Sequence, residues 1–225
     1  MERIIYHGGE NIVEQPQFGL GNKFNDYGLG FYCCSNKELA QEWAGRKKGQ
    51  GFVNYYRIRD DRLKILDLTK PPFNNVLYWV ALLMHNRVLS HEMREYYPRE
   101  LDYLEKKYLL DVSKYDIVIG YRADDSYFRF PESCVRSEIT LESLNTVFKL
   151  GSLGKQYVLI SKKAFSLLTF LKFEETPKDS GDNYFQRKRT ADKIFGELLI
   201  KDRYSDGTRL MDLIKGYGLL QNSRH

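Results

Sequence analysis

The run Tyr115-Asp116-Ile117-Val118-Ile119-Gly120-Tyr121 constrains this chain more than any other stretch. It is almost continuously apolar, the pattern of a central strand buried on both faces. Aromatic and β-branched runs bounded by turn residues predict further strands over residues 4–7, 31–34, 52–58, 63–68, 156–160 and 169–173. Asp60-Asp61 separates two of these, 52–58 and 63–68, and suggests that they are neighbours. About seven strands, interrupted by helices without a regular βαβ beat, point to an α+β fold.

The helical segments have their own signals. Ser35-Asn36-Lys37-Glu38 reads as a capping box, with Glu38 reaching back to the Ser35 amide, and opens a helix to about residue 46. Residues 74–89 carry Val76, Val80, Leu83 and Arg87 at helical spacing and are apolar enough to be buried. Residues 90–110, rich in Glu, Lys and Tyr, must bend or restart at Pro98. A capped helix over 140–150 closes at Gly151, and a short one covers 161–168. The polar stretch 174–182, with Pro177, Ser180 and Gly181, marks a boundary between a domain over residues 1–174 and a helical C-terminal extension over 175–225. Two amphipathic helices are expected in that extension, near 184–199 and 207–220.

Several function classes fall away. The N-terminus has no apolar signal region and no run approaches the roughly 18 residues of a membrane span, so a soluble, cytoplasmic protein is expected, with no membrane partner. Cys33, Cys34 and Cys134 form no C-x-x-C spacing and fit a reducing compartment in which they simply pack. His7, His85, His91 and His225 form no H-x-x-x-H pair, so no metal is expected. There is no P-loop, and Gly28-Leu29-Gly30 lacks the third glycine of a dinucleotide fingerprint. The net charge of +5, with a pI of about 8.9, permits a phosphate-rich partner without demanding one.

Two glycine clusters remain: Tyr6-His7-Gly8-Gly9 at the end of one strand, and Gly28-Leu29-Gly30-Phe31-Tyr32 at the start of another. "YHGG" and "YGLGFYCCSNKELAQEWA" resemble the first two motifs of the ADP-ribosyltransferases of the diphtheria-toxin and poly(ADP-ribose) polymerase type: a His-Gly step, then a Gly-x-Gly-x-Tyr step and its following helix. Trp43, eleven positions after Tyr32, stands where that family carries its second ring. "YDIVIGYRADD" and "GKQYVLIS" are similar to an uncharacterised bacterial family of the same class, and the likeness covers residues 4–173.

The resemblance implies two small twisted sheets forming a cleft with flanking helices, and mono-ADP-ribosyl transfer from NAD as substrate. His7 and Gly8 would anchor NAD, and Tyr32 and Trp43 would clamp nicotinamide. Gln156 would orient the ribose where poly-ADP-ribosylating relatives place a glutamate, which favours transfer of a single unit. Glu174 and Glu138 lie too far along the pattern to take that place, and Asp125 is a second carboxylate candidate. The acceptor would be a protein or a nucleic acid, and the chain a bacterial intracellular toxin silenced by a small antitoxin protein.

Plainer readings stand beside these. Leu39, Ala40, Trp43 and Ala44 share a helical face and could be core. Asn86-Arg87 could touch pyrophosphate, but arginine at a helix C-terminus ordinarily compensates the dipole, and that reading is preferred. The basic run Arg187-Lys188-Arg189 reads as solvated. The alternatives to an enzyme are an inactive relative that binds NAD, ADP-ribose or nucleic acid without turnover, and a nucleic-acid-binding structural protein.

Overall fold

Among the described residues, seven strands form one open sheet in the order β4-β5-β6-β2-β1-β3-β7. They are β1 (Glu2–Gly9), β2 (Phe31–Cys34), β3 (Phe52–Arg59), β4 (Ile65–Asp67), β5 (Ile117–Tyr121), β6 (Lys155–Leu159) and β7 (Leu168–Glu175). The computed structural model describes residues 2–46, 51–123, 127–149, 154–177 and 180–222. Its helices are α1 (Lys37–Ala44), α2 (Val76–Asn86), α3 (His91–Tyr96), α4 (Pro98–Tyr108), α5 (Arg129–Val135), α6 (Leu141–Lys149), α7 (Lys162–Ser166), α8 (Ser180–Arg203) and α9 (Leu210–Asn222). The class is therefore mixed α+β, and none of the described helices is long and apolar enough to cross a membrane.

The expectation of two sheets is corrected to one sheet with a weak seam. β1 pairs with β3 along its whole length, from Glu2 opposite Arg59 to Gly9 opposite Phe52. β2 pairs with β6 from Phe31 opposite Leu159 to Cys34 opposite Gln156. Between β1 and β2, however, only Tyr6 and Cys34 are in register. One pair keeps the halves joined, and beyond it the strands diverge.

A second correction concerns β3 and β4, which are not neighbours. β3 lies between β1 and β7, whereas β4 runs parallel to β5 at the opposite edge. The two ends of their connection are tied to different strands. Asp60 is held by Arg3 of β1, and Asp116, just before β5, accepts from the Lys64 amide at 2.8 Å. A turn signal records that the chain changes direction, not where the next strand docks.

The alternation along β5 divides the core as its sequence implies. Ile117 and Ile119 join Ile5, Cys33, Tyr56 and Leu159 on one face, closed by Ala164 of α7. Val118 and Val158 face the other way, into a larger cluster built on α2. Residues Val76, Leu77 and Trp79 to Met84 of α2 are all buried, and each full-sized side chain there contributes about 1.5–3 kcal/mol. α4 restarts with Pro98 at its first turn, where the missing N–H is harmless. α5 had no sequence signal because Pro131 argues against a helix, yet in a first turn a proline is tolerated.

The N-cap of α1 is Asn36 rather than Ser35, since Asn36 Oδ1 accepts from the Leu39 amide at 3.0 Å. The C-terminal helices belong to the α2 core: Ala191 of α8 and Leu210 and Ile214 of α9 are buried within it. Buried Asp202 of α8 accepts from the Thr140 amide at 2.7 Å and from Ser143 Oγ at 2.8 Å, which fastens α8 to the start of α6, where Thr140 Oγ1 accepts from the Ser143 amide at 3.1 Å as the cap. The basic run is only partly solvated, because Lys188 and Arg189 are exposed but Arg187 turns inward to Glu42 of α1.

Candidate functional site

A cavity of about 390 Å³ opens where β1 and β2 part, within the roughly 300–1,000 Å³ usual for small-molecule sites. Both glycine motifs border it. His7, at the end of β1, lies 2.8 Å through Nδ1 from the backbone carbonyl of Tyr32. A carbonyl only accepts, so the ring proton is on Nδ1 and Nε2 is left as an acceptor. The imidazole stacks on Phe31 with centroids 4.6 Å apart. Burial lowers its pKa, so it is neutral at neutral pH.

Tyr32 leaves the strand on the other face, where its ring packs against the α2 core while Phe31 joins the α7 side. The two motif side chains thus lie on opposite faces of the sheet, and both border the cavity because the seam is open there. The Tyr32 hydroxyl is engaged within the protein: it accepts from the Tyr27 amide at 3.0 Å and donates to the Gly28 carbonyl at 2.6 Å. Burial pushes its pKa up, so it remains a phenol. Gly28, at φ +76°, supplies the left-handed turn that brings its carbonyl to that hydroxyl.

Gly8 serves close packing. A Cβ there would lie 2.0 Å from the Ala40 carbonyl oxygen of α1, so only glycine lets that helix rest on β1. α1 in turn lends Leu39, Ala40 and Trp43 to the cavity wall. Trp43 is 37% exposed, and its ring contacts two guanidiniums, Arg46 at 4.2 Å and Arg122 at 4.6 Å. A nicotinamide stacked on this indole would have to replace one of them or lie beside it. Cation–π contacts of this kind contribute about 0.5–2 kcal/mol.

Gln156 stands on β6 opposite Cys34 of β2 and Gly120 of β5. It borders the cavity, and among the described residues its buried Oε1 has no hydrogen-bond partner, an acceptor that a ligand hydroxyl could satisfy once the side chain turns to meet it. Asp125 lies outside the described residues. Glu174 lies on β7, hydrogen-bonded by Lys172 and Lys37, which hold its carboxyl down at about 2. Glu138 accepts from Ser133 Oγ at 2.6 Å. Neither glutamate borders the cavity. Cys34 does, but burial pushes its thiol up to about 11, which leaves it protonated and unreactive.

Three charged residues of the wall are not taken from the sequence as site residues, although Arg87 is weighed there as a pyrophosphate contact before dipole compensation is preferred. Arg122 follows β5 and is buried. Arg87, the C-cap of α2, reaches into the wall, with Nη1 3.5 Å from Asp26 Oδ1 and its guanidinium 4.8 Å from the Phe128 ring centroid. Asp26 also accepts from the Ala123 amide at 3.0 Å. All three border the cavity. For Asp26 and Arg122 the signal that could have found them is adjacency, since Asp26 precedes the second glycine motif and Arg122 follows the central strand.

The loop over residues 10–30 lines one side of the cavity, through Val13, Leu20 and Asn25 among others. Asn54 fixes its first part, accepting from the Val13 amide at 2.9 Å and donating to the Asn11 carbonyl at 3.1 Å, while the Tyr56 hydroxyl donates to the Val13 carbonyl. Among the described residues no group of three His, Cys, Asp or Glu side chains converges to hold a metal.

No curated protein and no solved structure matches the chain. One family model does, over residues 3–170, a span that contains every described residue bordering the cavity. Its description is "Protein of unknown function (DUF3990)", and the chain belongs to that DUF3990 family.

Proposed function

We propose that this chain is an NAD-dependent mono-ADP-ribosyltransferase built on the plan of the diphtheria-toxin and poly(ADP-ribose) polymerase enzymes. The observation that carries the reading is a single cavity bordered by His7, Gly8, Tyr32, Trp43 and Gln156, residues of three separated segments. In the reaction the bond between nicotinamide and ribose C1′ breaks, its electron pair leaves with nicotinamide, and the acceptor adds to the oxocarbenium-like ribose. Catalysis then requires the departing ring to be held and the ribose to be oriented. His7 Nε2 accepts a ribose hydroxyl, the Tyr32 ring forms one wall of the nicotinamide site with Trp43 at its rim, and Gln156 Oε1 accepts the other ribose hydroxyl. Arg87 and Arg122 give the wall positive charge suited to the anionic half of the dinucleotide.

Gln156 supplies no charge to the cation, which favours transfer of one ADP-ribose to a protein or nucleic acid. On this reading the chain acts inside a bacterial cell as a toxin silenced by a small protein. The test is incubation of the purified chain with labelled NAD and a lysate, followed by mass spectrometry of the protein and nucleic-acid fractions. ADP-ribose on one fraction, with nicotinamide released, is the expected result; neither release nor labelling by partner-free protein overturns it.

A second reading, an NAD-binding module without turnover, is favoured by the neutral Gln156 and by the engaged Tyr32 hydroxyl. Tight NAD binding that is lost in His7→Ala, with no nicotinamide released by the unmodified chain, selects it.

A further inference from the structure

The side of α1 turned away from the cavity is held by α8. Glu42, next to Trp43, meets Arg187 with Oε2 2.5 Å from Nη2, and the two side chains are only 15% and 9% exposed. Gly45, which caps α1, lies against Gly181 at the start of α8, where a Cβ on Gly181 would fall 2.4 Å from the Gly45 carbonyl oxygen. The Arg46 guanidinium contacts both Trp43, at 4.2 Å, and Tyr184 of α8, at 5.9 Å. All three contacts fall on the end of α1 that carries Trp43. α8 begins ten residues beyond the family match, which ends at residue 170.

An ion pair this far from water contributes little net stability, because desolvation offsets the attraction, and apolar residues of the same volume would serve as well. What it does fix is proximity, since two charges held this far from water cannot part without one of them being left buried and unpaired. We propose that Arg187 is a positioning residue: by holding Glu42 it sets the rotation of α1 and with it the place of Trp43 in the cavity wall, which makes α8 part of the site.

The experiment uses the full chain and two readouts. Trp79 is buried at 1% exposure, so quenching of tryptophan fluorescence by acrylamide reports Trp43. Arg187→Met, which keeps the volume and removes the charge, is expected to raise the quenching constant about twofold and shift emission to the red. The exchange Glu42→Arg with Arg187→Glu is expected to return both towards the starting values. Unchanged quenching in folded Arg187→Met overturns the proposal. Should that variant fail to fold, the milder Glu42→Gln and the exchange decide it: increased quenching in the first and recovery in the second support it, and absence of either overturns it. The second readout, NAD titration, rests on the proposed transferase reading. There the KM for NAD rises about tenfold in Arg187→Met with kcat little changed, and the exchange recovers it. If the unmodified chain takes no NAD, the transferase reading falls while the quenching result still decides the role of Arg187.

Discussion

The imidazole of His7 donates its Nδ1 proton to the backbone carbonyl of Tyr32, 2.8 Å away, across the stretch where β1 and β2 have ceased to pair. A side chain of the first glycine motif is thereby fixed by the backbone of the second. The bond selects the tautomer, turns Nε2 into the acceptor, and holds the ring flat on Phe31. The two motifs are one device, although 20 residues of chain separate Gly9 from Gly30 in the sequence and the strands carrying them share a single registered pair.

A pH dependence follows from that burial. The folded pKa of His7 lies below its ordinary value near 6.5. The native imidazole thus stays neutral while the unfolded one takes up its proton, so the His7 contribution to stability is complete above pH 6.5 and declines as pH falls below it. On the proposed transferase reading, nicotinamide release should be level from pH 8 to about 6.5 and fall only at more acid values. A descending limb centred above pH 6.5, and removed by His7→Gln, would contradict a neutral His7.

Tyr32 divides its work between ring and hydroxyl. Tyr32→Phe keeps the cavity wall but strands the Tyr27 amide and the Gly28 carbonyl, at a cost of about 1–3 kcal/mol. Thermal unfolding should register this as a loss of roughly 2–12 °C for a chain of this size, while NAD affinity stays within about threefold. Tyr32→Ala removes the wall too and should weaken NAD at least tenfold. Equal affinities for the two variants would show that the ring does not touch the ligand.

The strands, the restart at Pro98 and the glycine motifs were legible because each has a local cause: period, turn chemistry or a missing Cβ. The partner of each strand was not, since β4 follows β3 in sequence and lies at the far edge of the sheet. The same limit hid the charged wall. Arg87 looks like any helix-terminal arginine until Asp26 is folded against it, and Arg187 looks solvated until Glu42 is. Gly8 has a local signal whose cause is distant, namely the Ala40 carbonyl of α1.

That contact makes Gly8→Ala informative. The new methyl would require α1 to move away from β1, and overpacking of this kind costs about 1–3 kcal/mol. A fall in Tm of roughly 2–12 °C is expected, together with weaker NAD binding, because Leu39, Ala40 and Trp43 move with the helix. Ala40→Gly leaves the opposing carbonyl in place and should not rescue it. Rescue by Ala40→Gly would place the clash on the Ala40 side chain instead.

On the proposed transferase reading Gln156 offers the most direct test of ribose orientation, because it borders the cavity and its buried Oε1 has no partner among the described residues. A ligand hydroxyl that satisfies this acceptor contributes about 1–1.5 kcal/mol, so Gln156→Ala should lower kcat/KM for NAD about tenfold. Thermal stability should stay level or rise, since the substitution removes an unsatisfied buried oxygen. Gln156→Glu keeps the acceptor and adds negative charge beside the cation that the proposed reaction would develop, and should raise kcat while leaving KM within a few fold. Loss of stability in Gln156→Ala with NAD kinetics unchanged would assign the residue to the sheet and not to the site.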